Sequence, residues 1–284
     1  MQIIEKPRLR RAEFATFGEF LAYAEDQVPS GERSNYRDTD CRSWAVGNTG
    51  FHHTKTFAEA ESLARRGWHE GASQVAAFRD RLGVSLDRAV ATVKATEVQY
   101  DVTGLWADVG RVATGEPECC GYEAAGTRAA SRVIPLRINV SSSHSCTSDE
   151  FLARGAVAVA VIDTLESLGD RVALSFGASA KCGRTGVVYE FVAPAKEPDQ
   201  PLDLDRLAFF LAHPAALRRY GFSVYERLGR LGSGLPQSFA GDAPGDEQPL
   251  DVPHIRRGGL LTPAEFQSTV AGLCRAVGVE FAAG

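Results

Sequence analysis

Apolar positions Phe17, Phe20, Leu21 and Tyr23 follow a helical spacing, and Thr16 with Glu19 has the interval of a capping box, so the pattern predicts a first helix over 13–25. Residues 26–50 are rich in turn formers and charge and read as a long surface loop. A second helix follows Thr56 and Glu59, with a stripe of Phe57, Ala60, Leu63 and Ala64 and a stop at Gly67. A third helical stretch covers about 71–82, with Val75, Phe78 and Leu82 on one side.

The pattern changes near residue 96. EVQYDV and LWADVG are short β-rich runs separated by Thr103–Gly104, which predicts a β-hairpin. Gly115 to Glu118 breaks structure, and YEAAGTRAAS reads as another loop. Residues 132–140 form an apolar strand, followed by a Ser-rich loop ending in a Thr147–Glu150 capping box. Residues 151–168 are apolar nearly all round, the mark of a helix buried on more than one side, and Gly169 ends it. Two further strands, 171–180 and 187–195, flank a short turn and must be antiparallel neighbours. The long helical connection makes 132–140 and 171–180 parallel, with a right-handed crossover. From Asp203 to about Leu228 the chain reads as mostly helical, with interruptions at Pro214 and Gly221. Residues 229–249 read as a Gly/Pro-rich loop and PLDVPHI as a short strand. The last helix opens at Thr262-Pro263-Ala264-Glu265, with VGVEF as a final strand. The organisation expected is a mainly helical region over 1–95 and an α/β domain over 96–284.

Charge and cysteine content narrow the function classes. The chain of 284 residues carries 31 basic and 36 acidic residues for a net charge of −5, which gives duplex DNA no basic surplus to bind. Arg outnumbers Lys by 26 to 5, a bias typical of a GC-rich genome. Six cysteines at 41, 119, 120, 146, 182 and 274 form no CxxC. With no apolar leader and no long uncharged run, the expectation is a reduced cytoplasmic protein, no membrane contact, and a place in a virion as the alternative.

The order strand, Ser-rich loop, buried helix, strand, tight turn, antiparallel strand and helix over about 130–281 resembles a von Willebrand A-like domain. The front part, with FHHTKTFAEAESLARRGWHEG and GEPEC, looks similar to uncharacterised proteins of actinobacterial phages and plasmids. The resemblance implies a three-layer, Rossmann-like α/β sheet carrying a helical N-terminal region and a β-hairpin. In such domains the first strand ends in D-x-S-x-S, whose oxygens coordinate a divalent cation. Here that place holds Asn139-Val140-Ser141-Ser142-Ser143. Asn replaces the carboxylate, no Thr occurs between 186 and 261, and Asp251 is the one acidic residue near the position of the family's later Asp. The implied metal set, Asn139, Ser141 and Ser143, is therefore degenerate, and the expected cofactor is none, Mg²⁺ or Mn²⁺ being the ions that would suit it.

Other constellations are weaker. His52 and His53 are adjacent and diverge on a strand. His144 lies near Cys146, and the two would need Cys119 or Cys120 brought to them to hold a metal. A Ser nucleophile beside His144 lacks the G-x-S-x-G frame, and neither GxGxxG nor GxxxxGK[ST] is present. An anion at the N-terminus of helix 151–168 would compete with Asp149 and Glu150. Lys6, Arg8, Arg10 and Arg11 read as a solvated basic tail, and Trp44, Trp68 and Trp106 as core. The preferred expectation is a non-enzymatic protein-binding or assembly protein of a phage or mobile element, partnered by another phage or host protein. Its ligand rim would be Asn139, Ser141, Ser143, His144 and Cys146. The alternatives are a metal-assisted hydrolase and a nucleic-acid binder using the Arg-rich N-terminus.

Overall fold

The computed structural model describes residues 1–26, 53–82, 89–91, 98–123, 132–142, 145–182, 185–229, 250–252, 258–260 and 262–281. The chain is mixed α/β. Its main sheet has six strands: β1 (Gln2–Lys6), β2 (Leu9–Glu13), β7 (Val133–Asn139), β8 (Arg171–Lys181), β9 (Val188–Lys196) and β10 (Leu250–Val252). Their spatial order is β1-β2-β9-β8-β7-β10. As the connections require, β7 and β8 are parallel and β8 and β9 antiparallel. Strand β10 runs parallel to β7, and β2 runs parallel to β9.

That last pairing corrects the N-terminus. Residues 2–13 are not a solvated tail but a hairpin built into the sheet, and the first helix, α1 (Phe17–Glu25), starts only after it. Short alternation between polar and apolar positions hid the strands, and their arginines are used as partners. Arg11 Nε donates to Glu190 at 2.8 Å, and Arg10 lies 3.6 Å from Glu5.

The helices form where caps and stripes agree. Thr16 and Thr56 each accept the N–H of the glutamate three residues on, opening α1 and α2 (Phe57–Arg66). Gly67, at φ +89°, ends α2, and α3 runs over His69–Leu82. Helix α5 (Ser148–Ser167) buries Val157, Ala158, Val161 and Ile162 completely, as an all-round apolar helix must. Gly155 lets it approach closely, since a Cβ there would lie 2.9 Å from Ala212 Cβ. Helix α6 (Leu204–Ala212) ends before Pro214, a π-helical segment covers Ala216–Gly221, and α7 (Phe222–Gly229) continues from it. Thr262 and Glu265 form the capping box of α8 (Pro263–Ala276).

One hydrophobic cluster joins these parts, from Phe17, Phe57 and Val75 to Phe176, Phe210 and Val270. At the start of β7 and β8, buried Ile134, Leu136, Val172 and Leu174 alternate with exposed or half-buried Val133, Pro135, Arg171 and Ala173. One face of the sheet is therefore open to water at this end.

The expected hairpin at Thr103–Gly104 is also corrected. Strands β4 (Val98–Asp101) and β5 (Trp106–Ala107) do not pair with each other. Both pair with β6 (Cys120–Glu123), in the order β4-β6-β5. Between β5 and β6 lies a short helix, α4 (Val109–Ala113), capped by Asp108. A separate two-stranded pair joins β3 (Ala89–Ala91) to β11 (Val279–Phe281). The expected loops at 26–50 and 229–249 lie outside the described residues, apart from Asp26 and Gly229.

Candidate functional site

The chain leaves β7 at Asn139 and enters α5 at Ser148, so the described residues 140–142 and 145–147 sit at the carboxyl end of a central strand. Asn139 is buried, and its Oδ1 accepts the Ser141 N–H at 3.0 Å, which folds the loop on itself. The amide oxygen expected to face an ion is thereby engaged within the loop. Ser141 and Ser142 are also buried, and neither hydroxyl has a hydrogen-bond partner. Glu150 accepts from Thr147 N at 2.5 Å and from Gly258 N, which ties the loop to the chain after β10.

The sequence reading missed what lies beneath this loop. Arg154 is fully buried. Its Nε donates to Leu211 O at 3.1 Å and its Nη1 to Asn139 O at 3.4 Å, while Nη2 has no partner. Arg218, also buried, is delivered by the π-helical segment. Both guanidiniums lie over the Phe151 ring, at 5.3 and 5.5 Å. Cys146 is close enough to interact electrostatically with both. Burial pulls Arg154 down to about 9, with Cys146 opposing and Arg218 adding to the fall. Burial pulls Arg218 down to about 10, again opposed by Cys146. Both remain cationic at neutral pH. One signal could have revealed Arg154: a helix apolar nearly all round has little water-facing surface on which to place its one internal arginine.

Two histidines, both held neutral, lie beside the buried arginines. His213 Nδ1 accepts the Ala215 N–H at 3.0 Å, and its ring packs against Phe209 at 5.1 Å and Trp68 at 4.8 Å. Burial, then His53 and Arg218, bring His213 down to about 3, and burial with Arg218 lowers His53.

Of the expected rim, Asn139 and Ser141 are joined by a hydrogen bond and Cys146 is buried with Phe151, while Ser143 and His144 lie outside the described residues. Asp251, the acidic candidate, is held by Arg137 through two hydrogen bonds of 2.7 and 2.8 Å. Cys119 and Cys120 belong to the small sheet, where their thiols interact with each other. Among the described residues no group of three His, Cys, Asp or Glu side chains is placed to hold a metal. Near the N-terminus, Arg10 pairs with Glu5 within the hairpin and Arg11 with Glu190 of β9.

A second feature stands on the small sheet. Leu105 and Val109 are about four-fifths exposed, and Val102, Val112 and Trp106 are also exposed, which corrects the assignment of Trp106 to the core. Side-chain contacts brace the unit that carries them. Tyr100 Oη donates to Asp108 at 3.0 Å, and Arg111 stacks on the Tyr100 ring at 3.8 Å. Trp106 lies flat on Gly121, where a Cβ would meet the indole at 2.6 Å. Within 98–123 the acidic residues are Asp101, Asp108, Glu116, Glu118 and Glu123, against the single base Arg111.

Among the described residues no helix is long and apolar enough to cross a membrane. No curated protein matches the chain, and no solved structure matches it. The family described as a domain of unknown function, DUF7192, matches residues 3–254, and the chain belongs to that family.

Proposed function

We propose that this chain is a non-enzymatic binding and assembly protein of a phage or mobile element, and that it docks a partner protein through the exposed apolar residues of β5, α4 and the β4–β5 connection. The observation that carries this reading is the exposure of Val102, Leu105, Trp106, Val109 and Val112 on one compact, internally braced unit. Apolar side chains clustered in this way on a braced frame, with an aromatic among them, are what protein interfaces use as anchors. The acidic balance of residues 98–123 selects the occupant. A second copy of the same surface would bring like charges together, so the fitting partner is a different protein with an apolar hollow rimmed by Lys and Arg. The von Willebrand A-like kinship belongs to this proposal. It is supported by the parallel β7–β8 pair joined through α5 and by the Ser-rich loop at the carboxyl end of β7.

Quantitative co-purification from host or infected cells tests it, comparing the native chain with Leu105→Ser/Val109→Ser. Both substituted positions are solvent-facing, so the fold should survive. The proposal requires a protein that the double variant loses and that dissociates as salt rises. An identical set of captured proteins from both chains overturns it. So does light scattering that shows the native chain self-associating through this surface.

A further inference from the structure

We propose that the carboxyl end of β7 and the first turns of α5 form a binding site for a small phosphate-type oxyanion, held by the Arg154 guanidinium and the Ser141 and Ser142 hydroxyls. Three unsatisfied buried groups point to a ligand here. Arg154 Nη2, Ser141 Oγ and Ser142 Oγ are enclosed and have no hydrogen-bond partner. They belong to one neighbourhood, because Arg154 Nη1 reaches Asn139 O and Asn139 Oδ1 holds the Ser141 N–H. Polar groups taken from water without partners are costly, and proteins retain them where something else supplies the bond.

The charge of the missing partner follows from the surroundings. Arg154 meets only two backbone carbonyls, which accept its hydrogen bonds but do not neutralise it. A second buried guanidinium, Arg218, faces the same Phe151 ring. A cation is repelled by this arrangement and an anion offsets it. Glu150 does not fill the role, since its two oxygens are turned to Thr147 and Gly258. Cys146, beside both guanidiniums, would share the positive field with the ligand.

The donors also select the shape. Arg154 Nη2 and the hydroxyls of Ser141 and Ser142 are donors on three separate atoms that lack a partner. A tetrahedral oxyanion directs its oxygens away from one plane and so suits donors set on separate atoms better than a planar carboxylate does. Because the donors are buried, the group must be a free phosphate or sulfate, or the terminal phosphoryl of a small phosphomonoester.

Titration calorimetry and thermal melting of the full chain test this at constant ionic strength, with inorganic phosphate, sulfate, glycerol phosphate, acetate and MgCl₂ as probes. Saturable binding of phosphate and sulfate is expected, with a melting rise of about 5 °C at a hundredfold excess over Kd, and none with acetate or Mg²⁺. Tighter binding of glycerol phosphate than of inorganic phosphate would assign the site to a phosphomonoester, and the reverse to the free ion. Ser141→Ala/Ser142→Ala, which removes only hydroxyls, should weaken Kd about tenfold or more. Arg154→Met should abolish binding. If that variant does not fold, the serine pair decides. No saturable response up to 50 mM phosphate, or an undiminished response in the serine variant, overturns the site.

Discussion

Burial, with His53 and Arg218 adding to it, holds the His213 proton affinity down to about 3, and this gives a pH dependence at the level of a single residue. The unfolded chain takes up this proton near the ordinary value of 6.5, and the folded chain only near 3. Between these values the unfolded state binds more protons, so stability falls as pH drops through the window and is complete above it. The shift corresponds to a few kcal/mol. His213→Gln keeps an acceptor for the Ala215 N–H and removes the titration. Its melting temperature should therefore fall less steeply than that of the native chain between pH 7 and pH 4. Parallel curves would show that His213 does not set the slope. Residue-scale chemistry was the least legible part of the sequence. Asn139, Ser141 and Cys146 were found from loop position, but Arg154 and Arg218 owe their burial to packing among α3, α5, α6 and the π-helical segment. The capping boxes, by contrast, were legible, because each is closed between residues three apart.

Helix α5 connects the residue scale to the fold. Its surface is apolar nearly all round, so the sequence alone predicts burial, and Val161 is fully enclosed. Val161→Asp places a carboxylate there with no designed partner and should destabilise the chain by several kcal/mol, read as loss of soluble protein or an early urea midpoint. Gly155→Val probes a contact that no pattern reveals. The new side chain would meet Ala212 and Val75, where even a Cβ lies 2.9 and 3.2 Å away. Overpacking of this kind costs about 1–3 kcal/mol, and a urea midpoint unchanged by Gly155→Val would show that α5 can move away from α6. The strands explain the opposite failure. Periodicity and turn length fixed the β7, β8 and β9 pairings, since a helix forces a parallel return and a tight turn an antiparallel one. In β4, β5 and β6 the intervening turn suggested pairing between neighbours, yet both flanking strands chose β6, a long-range partner that local sequence does not specify.

At the scale of the whole molecule, the N-terminal hairpin decides how the sheet ends. Strand β2 covers β9 over Leu9–Glu13, and the Phe14 N–H continues the ladder to Val192 O at 3.0 Å. Removing residues 1–13 would uncover the backbone of β9, and an exposed sheet edge recruits other chains. It would also take Arg11 from Glu190, a buried carboxylate that would keep only a 3.4 Å contact with Ser179 Oγ. Loss of one member of a buried ion pair is severe because the remaining charge stays desolvated. The truncated chain should therefore melt about 10 °C lower and form concentration-dependent aggregates. Arg11→Met separates the two effects. It retains the strand and its hydrogen bonds, so it should lower the melting temperature while the protein remains unaggregated in light scattering. A truncated chain that melts with the full-length protein and does not aggregate would show that β9 needs no cover, and that the hairpin is an appendage to the sheet rather than its edge.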